Sequence, residues 1–272
     1  SKNEQIVFFM FFFIILLNLA NVISGPNNVG TELIRKRFMY IILFSLFVYF
    51  FVNDKLAGGS YLNIRITIII YITIILFIGL RGLVFNYKFL TIIVSLFMVL
   101  FSLLIRYPKQ KVIGEIVKDY LSIKDSIPEK SIVLPLSFNN HGFLKSNILS
   151  PRIGIFKHIS GYLGAYKPMI SMDNYEADTR LFPIRWRNDM NPYTFLSVNN
   201  RSGIESNPPS VNILKYEQKI NTDLDYIVLW GNKKWYENNV GVKRLSNELD
   251  NYQLINESSS KIMWKLYKKN KK

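Results

Sequence analysis

Four long apolar runs, all before Pro108, constrain this chain more than any other feature. They cover Ile6 to Ile23, Phe38 to Val52, Ile64 to Leu80 and Phe89 to Ile105, each about 15 to 18 residues with at most one charge. A helix needs roughly 17 residues or more to cross a hydrocarbon core about 30 Å thick, so the runs predict four membrane spans. A helix buried in a water-soluble protein keeps a polar face, whereas the second and fourth runs are apolar all round. A signal peptide is the competing reading of the first run, but it lacks a basic leading segment and three further runs follow it.

Cationic side chains flank the runs as interfacial anchors. Arg35, Lys36 and Arg37 precede the second, Arg65 opens the third and Arg106 follows the fourth, where long stems let the charge reach the headgroups. Asn18 and Asn21 either hydrogen-bond to neighbouring helices or approach the interface. The basic residues on the two sides of the membrane nearly balance. The strongest single cluster, 35–37, favours an orientation in which everything after Arg106 lies outside the cytoplasm.

The formal net charge of +15 divides into nine basic and three acidic residues before Lys109, and 25 basic and 16 acidic from there on. The excess is therefore not one nucleic-acid stripe, and no nucleic-acid partner is expected. The closing KLYKKNKK is a solvated tail or touches anionic headgroups. With no cysteine, disulfides, thiolate metal sites and a cysteine nucleophile are all excluded.

From Lys109 the patterning becomes that of a soluble domain, predicted over 109–272 after a helical membrane region over 1–108. Val112, Ile113, Ile116, Val117, Tyr120 and Leu121 recur at three- and four-residue steps, an amphipathic helix. Ile127-Pro128-Glu129-Lys130 is a turn, and SIVLPLSF and Leu224 to Trp230 are apolar strands. A helix around Val242 to Leu249 leads into a hairpin of Tyr252 to Ile255 with Ile262 to Tyr267. Strands mixed with helices indicate a small α/β domain, interrupted by a long irregular insertion near 138–215.

That insertion holds both histidines and the stretch MDNYEADTRLFPIRW, Met172 to Trp186, in which carboxylates, arginines and aromatics crowd together. Three readings stand side by side. The first is a polar loop with internal salt bridges such as Asp178 with Arg180 or Arg185, pinned down by Tyr162, Tyr166, Tyr175, Phe182 and Trp186. The second is a carbohydrate or lipid-headgroup contact through His141, His158, Asp173, Glu176, Asp178, Arg185 and Trp186, because sugars are held by carboxylates and arginines beside aromatic faces. The third is a divalent metal site on His141, His158, Asp173 and Asp178. Their spacing matches no ligand motif, and DNYEAD lacks the glycine and distal glutamate of an EF-hand loop, so no cofactor is predicted. Phosphate-loop, HExxH and GxSxG motifs are absent.

The order GTELIRKRF before a span, further spans, an amphipathic helix, IPEKSIVLPL, and DLDYIVLWG with a terminal hairpin resembles the C-terminal half of bacterial polytopic glycosyltransferases of the GT-C class. The likeness is to the dolichyl-phosphate-mannose type of mannosyltransferase. The resemblance implies an enzyme of the bacterial inner membrane that takes sugar from a polyprenyl-phosphate donor on the extracytoplasmic face, with a glycan or protein acceptor. It also implies that the catalytic acid lies in an early outer loop that no position here matches, so no catalytic residue is carried over. On this reading the segment supplies late membrane helices and an extracytoplasmic domain that assists substrate binding, and Arg65 and Arg106 are candidate contacts to the lipid phosphate, arginine presenting a fork to it. The competing class is a noncatalytic membrane assembly or transport component with a partner-binding domain. The absence of acids within the spans argues against a self-contained ion carrier.

Overall fold

The computed structural model describes residues 2–24, 32–52, 62–79, 85–144, 147–151, 153–179, 182–198, 202–258 and 264–270. Contacts divide the chain into two compact units, Ser1–Pro108 and Lys109–Lys272.

The first unit is helical: α1 Lys2–Ser24, α2 Glu32–Phe51, α3 Leu62–Gly79 and the leading part of α4, Phe85–Leu121. Among the described residues, two helices are long and apolar enough to cross a membrane, Leu62–Gly79 and Lys88–Ser126, where four spans were expected. The other two runs are helical but short in apolar length. Glu32, Arg35, Lys36 and Arg37 occupy the start of α2, leaving 38–51, about 21 Å of helix at 1.5 Å per residue. The apolar stretch of α1 is Gln5–Leu16. Ile66, Ile70, Thr73 and Ile78 form the buried face of α3. Asn18 hydrogen-bonds across to Thr91 Oγ1 at 3.2 Å and back to the Ile14 carbonyl at 2.7 Å, which makes it a polar tie between helices. The lipid-like pattern lies on the outside: Phe44, Phe50, Phe51 and Leu104 are each about 70% exposed. Pro108 sits inside α4 rather than ending it. Its missing N–H leaves the Leu104 carbonyl without its usual helical donor.

The second unit is a sheet of order β4-β1-β5-β7-β6, with β1 Ile132–Ser137, β4 Ile170–Ser171, β5 Tyr226–Trp230, β6 Tyr252–Glu257 and β7 Trp264–Lys269; a two-stranded ribbon, β2 Phe143–Leu144 with β3 Asn147–Ile148, stands apart. β1 is parallel to both β4 and β5, and the β6–β7 hairpin adds antiparallel to β5. The central strands form because their apolar runs are buried on both sides, as sheets covered on two faces require. All five residues of β5 are buried.

Two apolar layers cover the sheet. On one face Ile116 and Tyr120 of α4 and Leu163 of α5 (Gly161–Tyr166) pack with Phe156 against Val133, Val228, Trp230 and Leu266. On the other, α6 (Pro192–Phe195), α7 (Ile213–Ile220) and α8 (Val240–Glu248) bring Tyr193, Tyr216, Val242 and Leu245 onto Leu134, Leu136, Ile227 and Leu229. The path from β1 to β4 uses the first face and the path from β4 to β5 the second, in the opposite direction. Reversing face and direction together keeps the same hand for both crossovers, as the packing of twisted strands demands.

The stretch 138–215, expected to be irregular, is therefore part of the core. It contains β2, β3, α5, β4 and α6, and it buries Met172, Leu196, Ile204 and Val211. Short elements held by asparagine caps replace long periodic ones: Asn191 caps α6, Asn212 caps α7, and Asn221 ends α7 in the left-handed conformation at φ 51°.

Candidate functional site

In open sheets with parallel strands, ligands bind beyond the carboxyl ends where connections reverse, here between β1 and β5. That crevice is closed. The Phe138 N–H donates to the Trp230 carbonyl at 2.7 Å, and Trp230 Nε1–H donates to the Asn139 carbonyl at 3.1 Å. Gly231, at φ 88°, lies so near Asn139 that a Cβ there would stand 2.7 Å from the asparagine Cβ, so glycine is required for both the turn and the approach.

The polar groups gather instead after β4. β4 pairs with only Ile132 and Val133 of β1 and turns away through Met172, which places Asp173 where the two helical layers meet. Ser171 Oγ donates to Asp173 Oδ1 at 2.6 Å, and Ser160 Oγ, at the start of α5, donates to Oδ2. Burial holds the Asp173 carboxyl above the ordinary aspartate range, while the two serines and the nearby His158 act against that rise. Each carboxylate oxygen keeps a lone pair beyond the one its serine uses.

Next to it, the His158 and Tyr175 rings stack at 5.0 Å between centroids, and Tyr175 stays 42% exposed. The segment Tyr175–Asp178 is one 3₁₀ turn capped by Asn174, whose Oδ1 accepts from Ala177 N–H at 3.3 Å. Trp186 clamps the loop from outside. Its Nε1–H donates to the Asn174 carbonyl at 3.0 Å, and its backbone N–H donates to the Ala177 carbonyl at 3.0 Å. Asp178 Oδ1 accepts from Asn191 Nδ2 at 2.6 Å, which ties the loop to the cap of α6. Behind it runs a further chain: Tyr193 Oη donates to Glu205 Oε1 at 2.9 Å, and Lys157 pairs with Glu205 Oε2 at 2.7 Å. Burial and the Glu205 charge both raise the Tyr193 phenol, so it remains a donor.

Of the residues singled out in the sequence, Asp173, His158 and Tyr175 therefore come together, with Trp186 and Asp178 as the structural clamp. Glu176 is exposed, its Oε1 3.4 Å from the Tyr175 hydroxyl. Arg185 is exposed. His141 is turned to its own ribbon, Nδ1 lying 2.9 Å from the Ser150 carbonyl. Arg65 and Arg106 are exposed residues of α3 and α4. Arg180 lies outside the described residues. Among the described residues no three His, Asp or Glu side chains converge to hold a metal ion. Sequence reasoning missed Ser160, Ser171, Tyr193 and Glu205. For the two serines the only signal was that they bound the segment SGYLGAYKPMIS, 13 and 2 positions from one carboxylate. Comparison with protein-family models, with curated proteins and with solved structures finds no match to this chain.

Proposed function

We propose that this chain is a segment of an integral membrane glycosyltransferase that uses a polyprenyl-phosphate-linked sugar, and that its α/β unit holds carbohydrate against the loop after β4. The observation that carries the reading is the Asp173 group: a desolvated carboxylate with spare acceptor capacity, beside an exposed aromatic ring stacked on a histidine. A pyranose presents hydroxyl donors on its rim and a C–H face, and these suit a carboxylate and an aromatic face respectively. The Trp186 and Asn191 ties fix the loop before ligand arrives, so little ordering entropy opposes binding.

The helical unit supports the lipid half of the proposal. Four helices present large apolar side chains outward, two of them with the length to span. In this reading all four are embedded and the α/β unit lies outside the cytoplasm, where a lipid-linked sugar is presented. The domain binds, and the acid catalyst is supplied elsewhere in the enzyme.

The test is titration of the full chain in nanodiscs with short-chain polyprenyl-phosphate mannose, polyprenyl-phosphate glucose and the sugarless polyprenyl phosphate. At least one sugar-bearing lipid is expected to bind about tenfold tighter than the sugarless one, about 1.4 kcal/mol, and Asp173→Asn and Tyr175→Ala are expected to abolish that margin. Equal binding of all three lipids, or a margin untouched by both substitutions, overturns the reading.

A further inference from the structure

A cavity of about 560 Å³ opens on the other side of the α/β unit, lined by Thr194, Phe195, Ser197, Asn212, Lys215, Lys219 and Arg244 among others. Its size falls in the range of small-ligand sites. Lys215 and Lys219 stand one helical turn apart on α7, and Arg244 comes from α8. Like charges at that spacing destabilise a helix unless something compensates them.

The acids of the same two helices do not do so. Glu217 is buried, with Oε1 accepting from Leu224 N–H at 2.9 Å and from the Tyr252 hydroxyl at 2.7 Å, and Oε2 pairing with Lys269. Glu248 turns inward to accept from Ile213 N–H at 2.8 Å; the Arg244 charge reaches it, but the two form no ion pair among the described residues. Asp189, whose charge reaches Lys219, is engaged by Arg187 at 2.7 Å. Both carboxylates of the helices thus serve the core, while Lys215, Lys219 and Arg244 line the cavity.

Neutral donors complete the lining. Asn212 Oδ1 is occupied by Lys215 N–H at 3.0 Å, which leaves its amide group to donate, and Thr194 contributes a hydroxyl. Phe195 provides an apolar wall, with Lys219 Nζ over its ring at 5.3 Å.

From this convergence we infer that the α6–α7–α8 cavity binds a phosphate group borne by a small organic molecule or a lipid headgroup, with Arg244 and Lys215 as its principal charge partners. Arginine supplies the planar fork and lysine the point charge, a pairing suited to phosphate oxygens. The site shares no residue with the loop after β4 and does not rest on the carbohydrate reading.

The test is titration of the full chain with glucose 1-phosphate, inorganic phosphate and glucose, in nanodiscs of phosphatidylcholine and in nanodiscs containing phosphatidylglycerol. In phosphatidylcholine discs, binding of the phosphate-bearing probes is expected to fall at least tenfold in Lys215→Gln/Arg244→Gln. It is expected to persist in the charge-matched control Lys234→Gln/Lys243→Gln and in Asp173→Asn. Suppression of probe binding by phosphatidylglycerol, relieved in the cavity variant, identifies a headgroup as the source; no suppression identifies a soluble phosphate. Binding of glucose as tight as that of its phosphate, equal loss in the charge-matched control, or no binding of either phosphate probe in phosphatidylcholine discs overturns the proposal.

Discussion

Leu104 and Leu134 are the same residue under opposite rules. Leu104, on α4, is 74% exposed, and its neighbours along the helical unit are similarly turned outward; Leu134, in β1, has no accessible surface and lies between two layers of helices. The difference teaches that the α/β unit is organised by exclusion of water, while the helical unit leaves large apolar side chains exposed, two of its helices having the length and apolarity to cross a membrane. Within the helical unit, polar ties such as Asn18 with Thr91 join one helix to another.

Substitutions can break or sharpen that contrast. The largest effect is expected from Trp230→Ala. Trp230 packs against Tyr120 and Phe156 and donates to the Asn139 carbonyl, so its loss is expected to cost about 3–5 kcal/mol in the unfolding of the α/β unit, read by denaturant titration. Leu104→Ala, by contrast, is expected to leave that transition in place and to weaken only retention in the bilayer, read by flotation. Should both substitutions unfold the protein equally, the two-rule account fails.

Next comes Lys269→Met. Glu217 is kept by two neutral donors and this one cation, and removal of the cation leaves a buried charge, expected to cost about 3 kcal/mol. Restoration of stability by adding Glu217→Gln to the variant is the accompanying check.

A smaller effect concerns pH. Burial raises the Asp173 carboxyl, so the folded chain keeps a proton over a range in which the unfolded chain has lost it. The stabilisation from this group is complete below the ordinary aspartate value and is lost as pH rises through the raised one. In Asp173→Asn that slope disappears, so urea midpoints of wild type and variant are expected to diverge as pH rises from about 3 to neutrality. The smallest effect belongs to the surface. Arg187 and Asp189 are 75% and 61% exposed, and Arg187→Ala is expected to leave the urea midpoint unchanged, as exposed ion pairs contribute little.

How much of this was legible depends on the length of the signal. SIVLPLSF and LDYIVLW are apolar runs bounded by turns and form β1 and β5; the helix from Val240 and the terminal hairpin follow from spacing and a polar turn. β4 has two residues and α5 carries two glycines in six, too few and too permissive for any periodic pattern. Ile213, Tyr216 and Ile220 of α7 do share a face, and Asn212 and Asn221 mark its ends, a helix the sequence carried but for which none was expected. The pairing of Asp173 with Ser160 was not, because it depends on where β4 leaves the sheet. His141 and His158 looked equivalent in sequence and were separated only by the ribbon that claims His141.

The sheet order also sets a timetable for biosynthesis. β1 receives its parallel partner β5 only across a long interval: the Ile132 N–H donates to Asp225, 93 residues later. At about 5–20 residues per second, the first strand emerges from the ribosome roughly 5–20 s before the strand that covers it. Until β7 follows, β5 has a bare, fully apolar edge, the kind of edge that pairs with other chains. A nascent chain of this design therefore passes through an interval in which that edge is open to pairing with other chains.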